Sequence, residues 1–101
     1  MEKFLGSYIL AYGQRKTIYY IKFLKNGSTY YKIGITGNSL ENRFMREFNF
    51  KIVDRYTIDT EYAESLEKKI KDQYSHSLGV SNVLLSGNSE VSKIDFLGCF
   101  S

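Results

Sequence analysis

The stretch TIYYIKFLKNGSTYYKIGITGNSLENR, residues 17 to 43, decides the fold, because it predicts a β-hairpin that leads directly into a helix. Two runs rich in Tyr and Ile flank the dipeptide Asn26-Gly27. This dipeptide is a strong sign of a two-residue turn, since a type I′ turn needs positive φ at both central residues. Counting outward from the turn places Tyr19 opposite Gly34 and Ile21 opposite Lys32.

The predicted register sorts the hairpin side chains onto two faces, because successive side chains of a strand alternate. One face is apolar and typical of a surface packed on a core; it carries Ile18, Tyr20, Ile33 and Ile35. The opposite face carries Tyr19, Ile21, Lys32 and Gly34. There we expect Gly34 to leave open space beside the Tyr19 hydroxyl, with the Lys32 ammonium diagonal to it. A phosphate could then approach a phenol and a cation together.

Periodicity predicts three further elements after the hairpin. Residues 37 to 39 supply a turn and an N-cap for a helix of about three turns, whose apolar stripe is Leu40, Phe44 and Phe48. Residues 50 to 57 are expected to form a strand. Asp59 or Thr60 then caps a longer helix that runs to about Ser77, with the stripe Ala63, Leu66, Ile70 and Tyr74. This order predicts an α+β domain, whereas residues 4 to 13 fit either a strand or a short helix.

Two ionisable side chains on the predicted helices lean towards the interior. At about 100° per residue, Glu67 falls at the edge of the apolar arc of its helix. A carboxylate in partly apolar surroundings needs a compensating cation or hydrogen bonds, and hydrated Mg²⁺ is the natural candidate. Arg43 sits beside the stripe of the shorter helix and can bind phosphate bidentately. Glu47, four residues further on, is the alternative partner of this arginine.

The order of these residues resembles the GIY-YIG nuclease superfamily. Its elements here are Thr17-Ile18-Tyr19, Lys32-Ile33-Gly34, Arg43 and Glu67. Thr stands in place of the first Gly, and Lys in place of the second Tyr. The forms YKIGIT and LEKKI resemble a phage-associated branch with a KIG-type second motif. The resemblance covers roughly residues 17 to 90. It implies one domain over residues 1 to 101, with a small central antiparallel three-stranded sheet flanked by helices and room for an extra N-terminal strand.

The resemblance further implies a divalent-metal-dependent endonuclease that hydrolyses DNA phosphodiester bonds. In that mechanism Tyr19 is the general base, assisted by Lys32, because a nearby cation stabilises a phenolate. Arg43 stabilises the phosphate, and Glu67 holds one Mg²⁺ or Mn²⁺ ion. Relatives carry a further polar residue, often Asn, and the KIG-type branch carries a glycine-rich segment that ends in Glu. Asn82 and the segment from Gly87 to Glu90 are the candidates here, without an assigned role.

Structural alternatives stand beside each of these roles. Tyr19 could be one more strand aromatic, and Lys32 a solvent-facing strand lysine. Arg43 could form a surface pair with Glu47. Glu67 could extend to solvent, or pair with Lys32 or Arg43 in a purely structural network. A second functional class is a catalytically silent module of a phage or mobile element that binds nucleic acid or a host protein, because a fold does not by itself confer activity.

Composition is compatible with a DNA partner. The formal net charge is +3 and the isoelectric point is about 8.9, well short of a strongly basic protein. A single cysteine, Cys99, excludes an internal disulfide, and the absence of a CxxC motif or a His cluster excludes a structural zinc site. Without a signal-like start or a membrane-length apolar run, we expect a protein of the host cytoplasm with no membrane partner. A homodimer would suit cleavage of both strands, although nothing in the sequence requires it.

Overall fold

The computed structural model describes residues 15–37, 39–79 and 82–100. In these residues the chain follows the β-β-α-β-α order that the sequence predicts, and a short additional strand follows near the C-terminus. The elements are β1 (Lys16–Lys25), β2 (Ser28–Thr36), α1 (Leu40–Arg43), β3 (Phe50–Thr60), α2 (Ala63–Gln73) and β4 (Val91–Ser92). Single turns of 3-10 helix lie at Ser75–Ser77 and Asn88–Glu90. The segment expected to form an extra N-terminal strand or helix lies outside the described residues.

The strands form one antiparallel sheet in the order β3-β1-β2-β4, so the described residues make an α+β domain. β1 is central and pairs along its length with β2 and β3. The sheet has four strands where three were expected, because residues 91 and 92 add a strand to the free edge of β2. That pairing sets Val91 opposite Lys32 and Ser92 opposite Tyr31.

The hairpin has the predicted turn and register. Asn26 and Gly27 both adopt positive φ, 52° and 82°, as a type I′ turn requires. Tyr19 therefore lies opposite Gly34, and Ile21 lies opposite Lys32. A slip of one residue would have moved every side chain to the other face, so this register is what brings the hairpin's polar groups together.

Both faces of the sheet are covered. On the first, called here the Tyr19 face, α1 and the segment before Asn88 bury the core residues Tyr19, Ile21, Phe23, Leu40, Phe44, Val83, Leu84 and Val91. On the second, the Tyr20 face, α2 and the C-terminal segment bury Ile18, Tyr20, Ile33, Ala63 and Phe96. The Tyr19 phenol is thus part of a core as well as part of a polar cluster.

Helix α1 is shorter than its apolar spacing predicts. It ends at Arg43, and Phe48 is 80% exposed instead of completing the stripe. Asn49, which follows Phe48, adopts a φ of 55°, and its side-chain amide donates a hydrogen bond of 3.0 Å to the side-chain oxygen of Asn26. This bond links the segment after α1 to the hairpin turn.

Helix α2 packs its predicted stripe against the Tyr20 face, where Ala63 is buried and Leu66, Ile70 and Tyr74 are partly buried. The helix begins later than expected, because β3 continues to Thr60. The Thr60 hydroxyl accepts a hydrogen bond of 3.1 Å from the Tyr62 backbone N–H, so Thr60 contacts the start of the helix without being its N-cap. Within the described residues no helix has both the length and the apolar character needed to cross a membrane.

The C-terminal segment completes the Tyr20 face. The Tyr20 hydroxyl donates a hydrogen bond of 2.6 Å to Asp95 and accepts one from the Leu97 backbone N–H. Burial and the Asp95 carboxylate raise the pKa of this phenol well above its usual range. The rings of Phe96 and Phe100 lie 5.0 and 5.2 Å from the Tyr20 ring. Tyr20 therefore anchors the last described residues to the sheet.

Substitution of Gly34 by alanine should destabilise the fold strongly. An added Cβ would overlap the Tyr19 hydroxyl and lie 2.5 Å from the ring carbon that carries it, and the buried ring has no room to move. Overpacking of this kind costs about 1–3 kcal/mol. Gly37→Ala is the matched control, because nothing lies within 4 Å of its added Cβ. Urea unfolding of both variants checks the prediction, and equal midpoints would contradict it.

Candidate active site

The hairpin register brings the two candidate catalytic side chains of the strands into contact. Tyr19 lies on β1 and Lys32 lies diagonally across from it on β2. The Lys32 ammonium donates a hydrogen bond of 3.1 Å to the Tyr19 hydroxyl and lies 5.3 Å from the centre of its ring. The phenol and the cation that the sequence predicts as neighbours are therefore hydrogen-bonded directly.

The expected open space beside this pair does not exist. The Tyr19 ring lies across Gly34 and fills the space that the missing side chain leaves. Tyr19 is only 1% exposed, and Lys32 is fully buried, so the solvent-facing alternative for this lysine is wrong as well. The physical reason is that Leu40 and Phe44 pack over this face, which the hairpin pattern alone could not reveal.

The buried Lys32 ammonium has an acceptor for each of its three protons. Besides the Tyr19 hydroxyl, these are the Glu90 carboxylate at 2.7 Å and the Ile33 backbone carbonyl at 3.4 Å. A fully buried ammonium is tolerated only when it is paired and hydrogen-bonded, and Glu90 supplies the opposite charge. The second oxygen of Glu90 accepts a hydrogen bond of 3.0 Å from Lys71 on α2.

Glu90 is the site residue to which the sequence analysis assigned no role. It ends the 3-10 turn before β4, and pairing of Val91 with Lys32 sets it beside the ammonium. Gly87 allows this turn to close over the lysine: its φ is 80°, and a Cβ there would lie 3.2 Å from the Lys32 ammonium nitrogen. The glycine-rich segment that ends in Glu was the available signal. Asn82 joins no contact of the cluster, and its φ of 61° marks a turn.

Ionisation of Glu90 is strongly favoured by its two lysines. Burial alone would raise the pKa of this carboxyl, but the hydrogen bond and charge of Lys32, with those of Lys71, outweigh burial and lower it. Carboxylates change the pKa of the Lys71 ammonium in the opposite direction. Burial would lower the pKa of its ammonium, but the bond to Glu90 and the nearby carboxylates raise it. Glu90 and the two lysines therefore form a stable charged triad.

Glu67 lies on α2, one helical turn before Lys71, and it faces the same cluster. Burial raises the pKa of its carboxyl, and the negative charge of Glu90 raises it further, while Lys71 and Lys32 oppose the change. Within the described residues its carboxylate takes part in neither a hydrogen bond nor an ion pair, and the charges of Lys71 and Lys32 act on it from a greater distance. Glu67 is thus a half-buried acid beside a second carboxylate, and bound positive charge would relieve their repulsion.

Arg43 contacts the Phe44 ring, which also lies near Lys32. Among the described residues it forms no ion pair with the polar groups of the cluster. Its guanidinium carbon lies 5.5 Å from the centre of this ring, and the Lys32 nitrogen lies 6.0 Å from the same centre. The Tyr19 ring meets Phe44 edge-on at 5.9 Å. The alternative pairing of Arg43 with Glu47 is wrong, because Glu47 binds the Lys25 ammonium at 2.6 Å and accepts from a backbone N–H.

The donor set near Glu67 was tested for a fit to one divalent ion. Among the described residues there is no cluster of three or more His, Cys, Asp or Glu side chains, so these residues offer no dedicated protein cage. Mg²⁺ usually binds through one or two carboxylates together with water and substrate phosphate. A Glu67 carboxylate without a partner, next to the Glu90 carboxylate, fits that mode of binding.

Comparisons with known proteins add no assignment. No family model, no curated protein and no solved structure matches this chain.

The two acids should affect stability in opposite ways. Glu90→Gln leaves the buried Lys32 without a counter-charge and should lower the free energy of unfolding at neutral pH by about 2–4 kcal/mol. Folding lowers the pKa of Glu90 from its ordinary value of 4.5. The ionised Glu90 therefore stabilises the fold fully at pH values above 4.5, and this stabilisation is lost as the pH falls through the lowered pKa.

The raised pKa of Glu67 has the opposite effect on stability. The ionised carboxylate lowers the free energy of unfolding, and this loss disappears when the carboxylate is protonated at low pH. Glu67→Gln should therefore be neutral or stabilising at neutral pH. Denaturant unfolding between pH 3 and pH 8 checks both variants, on a scale set by the ordinary carboxyl pKa of about 4. Equal losses of stability would show that the two carboxylates do not differ as described.

Proposed function

We propose that this protein is a divalent-metal-dependent endonuclease of the GIY-YIG type that hydrolyses DNA phosphodiester bonds. The observation that carries the proposal is the Lys32 ammonium, which is hydrogen-bonded to both the Tyr19 phenol and the Glu90 carboxylate, with Glu67 beside them. Side chains far apart in the sequence meet in one cluster. Its members are a proton acceptor, cations and carboxylates, which are the groups that phosphodiester hydrolysis needs.

Tyr19 is the proposed general base for the attacking water. Its hydroxyl oxygen is held by the hydrogen bond from Lys32, which fixes the ring orientation and places positive charge next to the phenol oxygen. The edge-on contact with Phe44 holds the other side of the ring. This positioning supports proton transfer in a defined direction, which is the main requirement for a general base.

Glu67 is the proposed ligand of one Mg²⁺ or Mn²⁺ ion. When bound, such an ion would supply positive charge beside the scissile phosphate. Arg43 lies against the Phe44 ring and is exposed, so its guanidinium is available to a phosphate oxygen. Guanidinium keeps its charge and binds phosphate through two parallel hydrogen bonds, which suits the extra charge of the transition state.

The burial of Tyr19 and Lys32 favours a second candidate function. With 1% and 0% exposure, and with the charge of Lys32 balanced by Glu90, the pair could serve stability alone. The protein would then be a catalytically silent module that binds nucleic acid or a host protein. Glu67 distinguishes the two candidates, because a metal-dependent nuclease needs this half-buried carboxylate for activity and a purely structural cluster does not.

Cleavage assays with paired variants of α2 test the proposal. Purified protein with Mg²⁺ or Mn²⁺ should nick or cut supercoiled plasmid, linear duplex or single-stranded DNA, and EDTA should abolish the activity. Glu67→Gln should abolish it as well. Glu64→Gln is the matched control, because Glu64 is an exposed acid on the same helix that pairs with Lys16. DNA binding without cleavage under all these conditions would establish the silent module instead.

Tyr19→Phe separates a catalytic from a structural phenol. The substitution keeps the ring that fills the space over Gly34 and removes only the hydroxyl. Turnover should fall by about 10² or more, while affinity for DNA stays nearly unchanged, because a general base acts in the transition state. Tyr30→Phe, on the same hairpin, is the control and should cleave normally. A large loss of binding with Tyr19→Phe would assign the hydroxyl to the structure.

A further inference from the structure

A groove of about 350 Å³ opens beside Arg43. One wall comes from α1 and the turn after it and contains Asn42, Arg43, Met45, Arg46 and Glu47. The other wall is formed by Leu85 and Ser86. The groove, called here the arginine groove, has a volume within the usual range of ligand sites.

The positive charge of the arginine groove is not compensated by the acids around it. Glu41, outside the groove, is bound to Arg55 at 2.7 Å. Glu47 lines the groove, but its side chain is only 7% exposed, and its two oxygens accept from the Lys25 ammonium at 2.6 Å and from the Leu85 backbone N–H. Within the described residues neither Arg43 nor Arg46 forms an ion pair. Two guanidinium groups therefore line a groove whose carboxylate is already paired with Lys25, which favours an anionic ligand.

The contact of Arg43 with Phe44 leaves its hydrogen-bonding groups free. The guanidinium carbon lies 5.5 Å from the centre of the aromatic ring, a cation–π distance. Such a contact stabilises the positive charge of the guanidinium and leaves its N–H groups able to donate hydrogen bonds to a ligand. These donors suit phosphate oxygens, and Arg46 lies along the same groove to hold a second phosphate.

The other exposed side chains of the groove indicate which phosphate compound fits. Met45 is 76% exposed and Leu85 is 69% exposed, and both line the groove. In a duplex the base faces are stacked and hidden, whereas an unpaired strand presents them to apolar side chains. Asn42 and Ser86 add neutral polar groups for sugar or base edges. Repeated phosphates next to exposed apolar surface are the properties of a single nucleic-acid strand.

We infer that the arginine groove binds an unpaired nucleic-acid strand, with Arg43 and Arg46 on successive phosphates and with Met45 and Leu85 against the bases. The inference rests on the proposed function and adds one detail to it, namely that the nucleic-acid substrate is a single strand bound next to Arg43. Binding in the groove needs no metal and no cleavage, so the two proposals can fail separately.

The test is equilibrium binding in EDTA, measured as fluorescence anisotropy of a labelled single strand and of the duplex of the same sequence. The single strand should bind more tightly than the duplex. Arg46→Ala should weaken single-strand binding roughly tenfold at low salt. It should also reduce the slope of log affinity against log salt concentration by about 0.7, because one phosphate contact is lost.

Lys69→Ala is the matched control, since it removes one charge from the exposed side of α2, and its effect should be small. Met45→Ala should weaken single-strand binding without changing the salt slope, as expected for a contact to a base. Equal effects of Arg46→Ala and Lys69→Ala, or tighter binding of the duplex, would overturn the inference. Cleavage that requires Glu67 would remain informative in either case, because it is measured separately with metal present.

Discussion

The burial of the Lys32 ammonium is the constraint on which the rest of the site depends. A buried charge costs several kcal/mol unless it is paired and hydrogen-bonded. Lys32 meets this condition through Tyr19, Glu90 and a backbone carbonyl, which come from β1, the turn before β4 and β2 itself. Each partner lies on a different segment, so the ammonium can be satisfied only when these segments are assembled together.

The surroundings of the ammonium follow from the same requirement. Gly34 leaves space for the Tyr19 ring, and Gly87 lets the turn that carries Glu90 close over the lysine. Glu90 must remain ionised, and Lys71 helps by binding its second oxygen. One consequence falls on Glu67, which is close to a carboxylate that cannot give up its charge. Its repulsion by Glu90 makes it the most suitable position for an added cation.

The Phe44 ring lies next to two regions of positive charge. The buried Lys32 ammonium and the exposed guanidinium of Arg43 both lie within 6.0 Å of the ring centre. The proposed chemistry uses the buried side for proton transfer, and the proposed strand binding uses the exposed side for phosphates.

The sequence by itself determined the hairpin turn, its register and the packed stripe of α2, because turn chemistry and side-chain periodicity are local properties. It also brought Tyr19 next to Lys32 through that register. Tertiary structure alone decided that both faces are buried, that α1 stops before Phe48 and that Glu90 joins the cluster. Lys32 and Glu90 are 58 positions apart, and Asn49 reaches the hairpin turn from 23 positions away. No local pattern encodes such distant pairings, because they exist only where the folded chain brings their partners together.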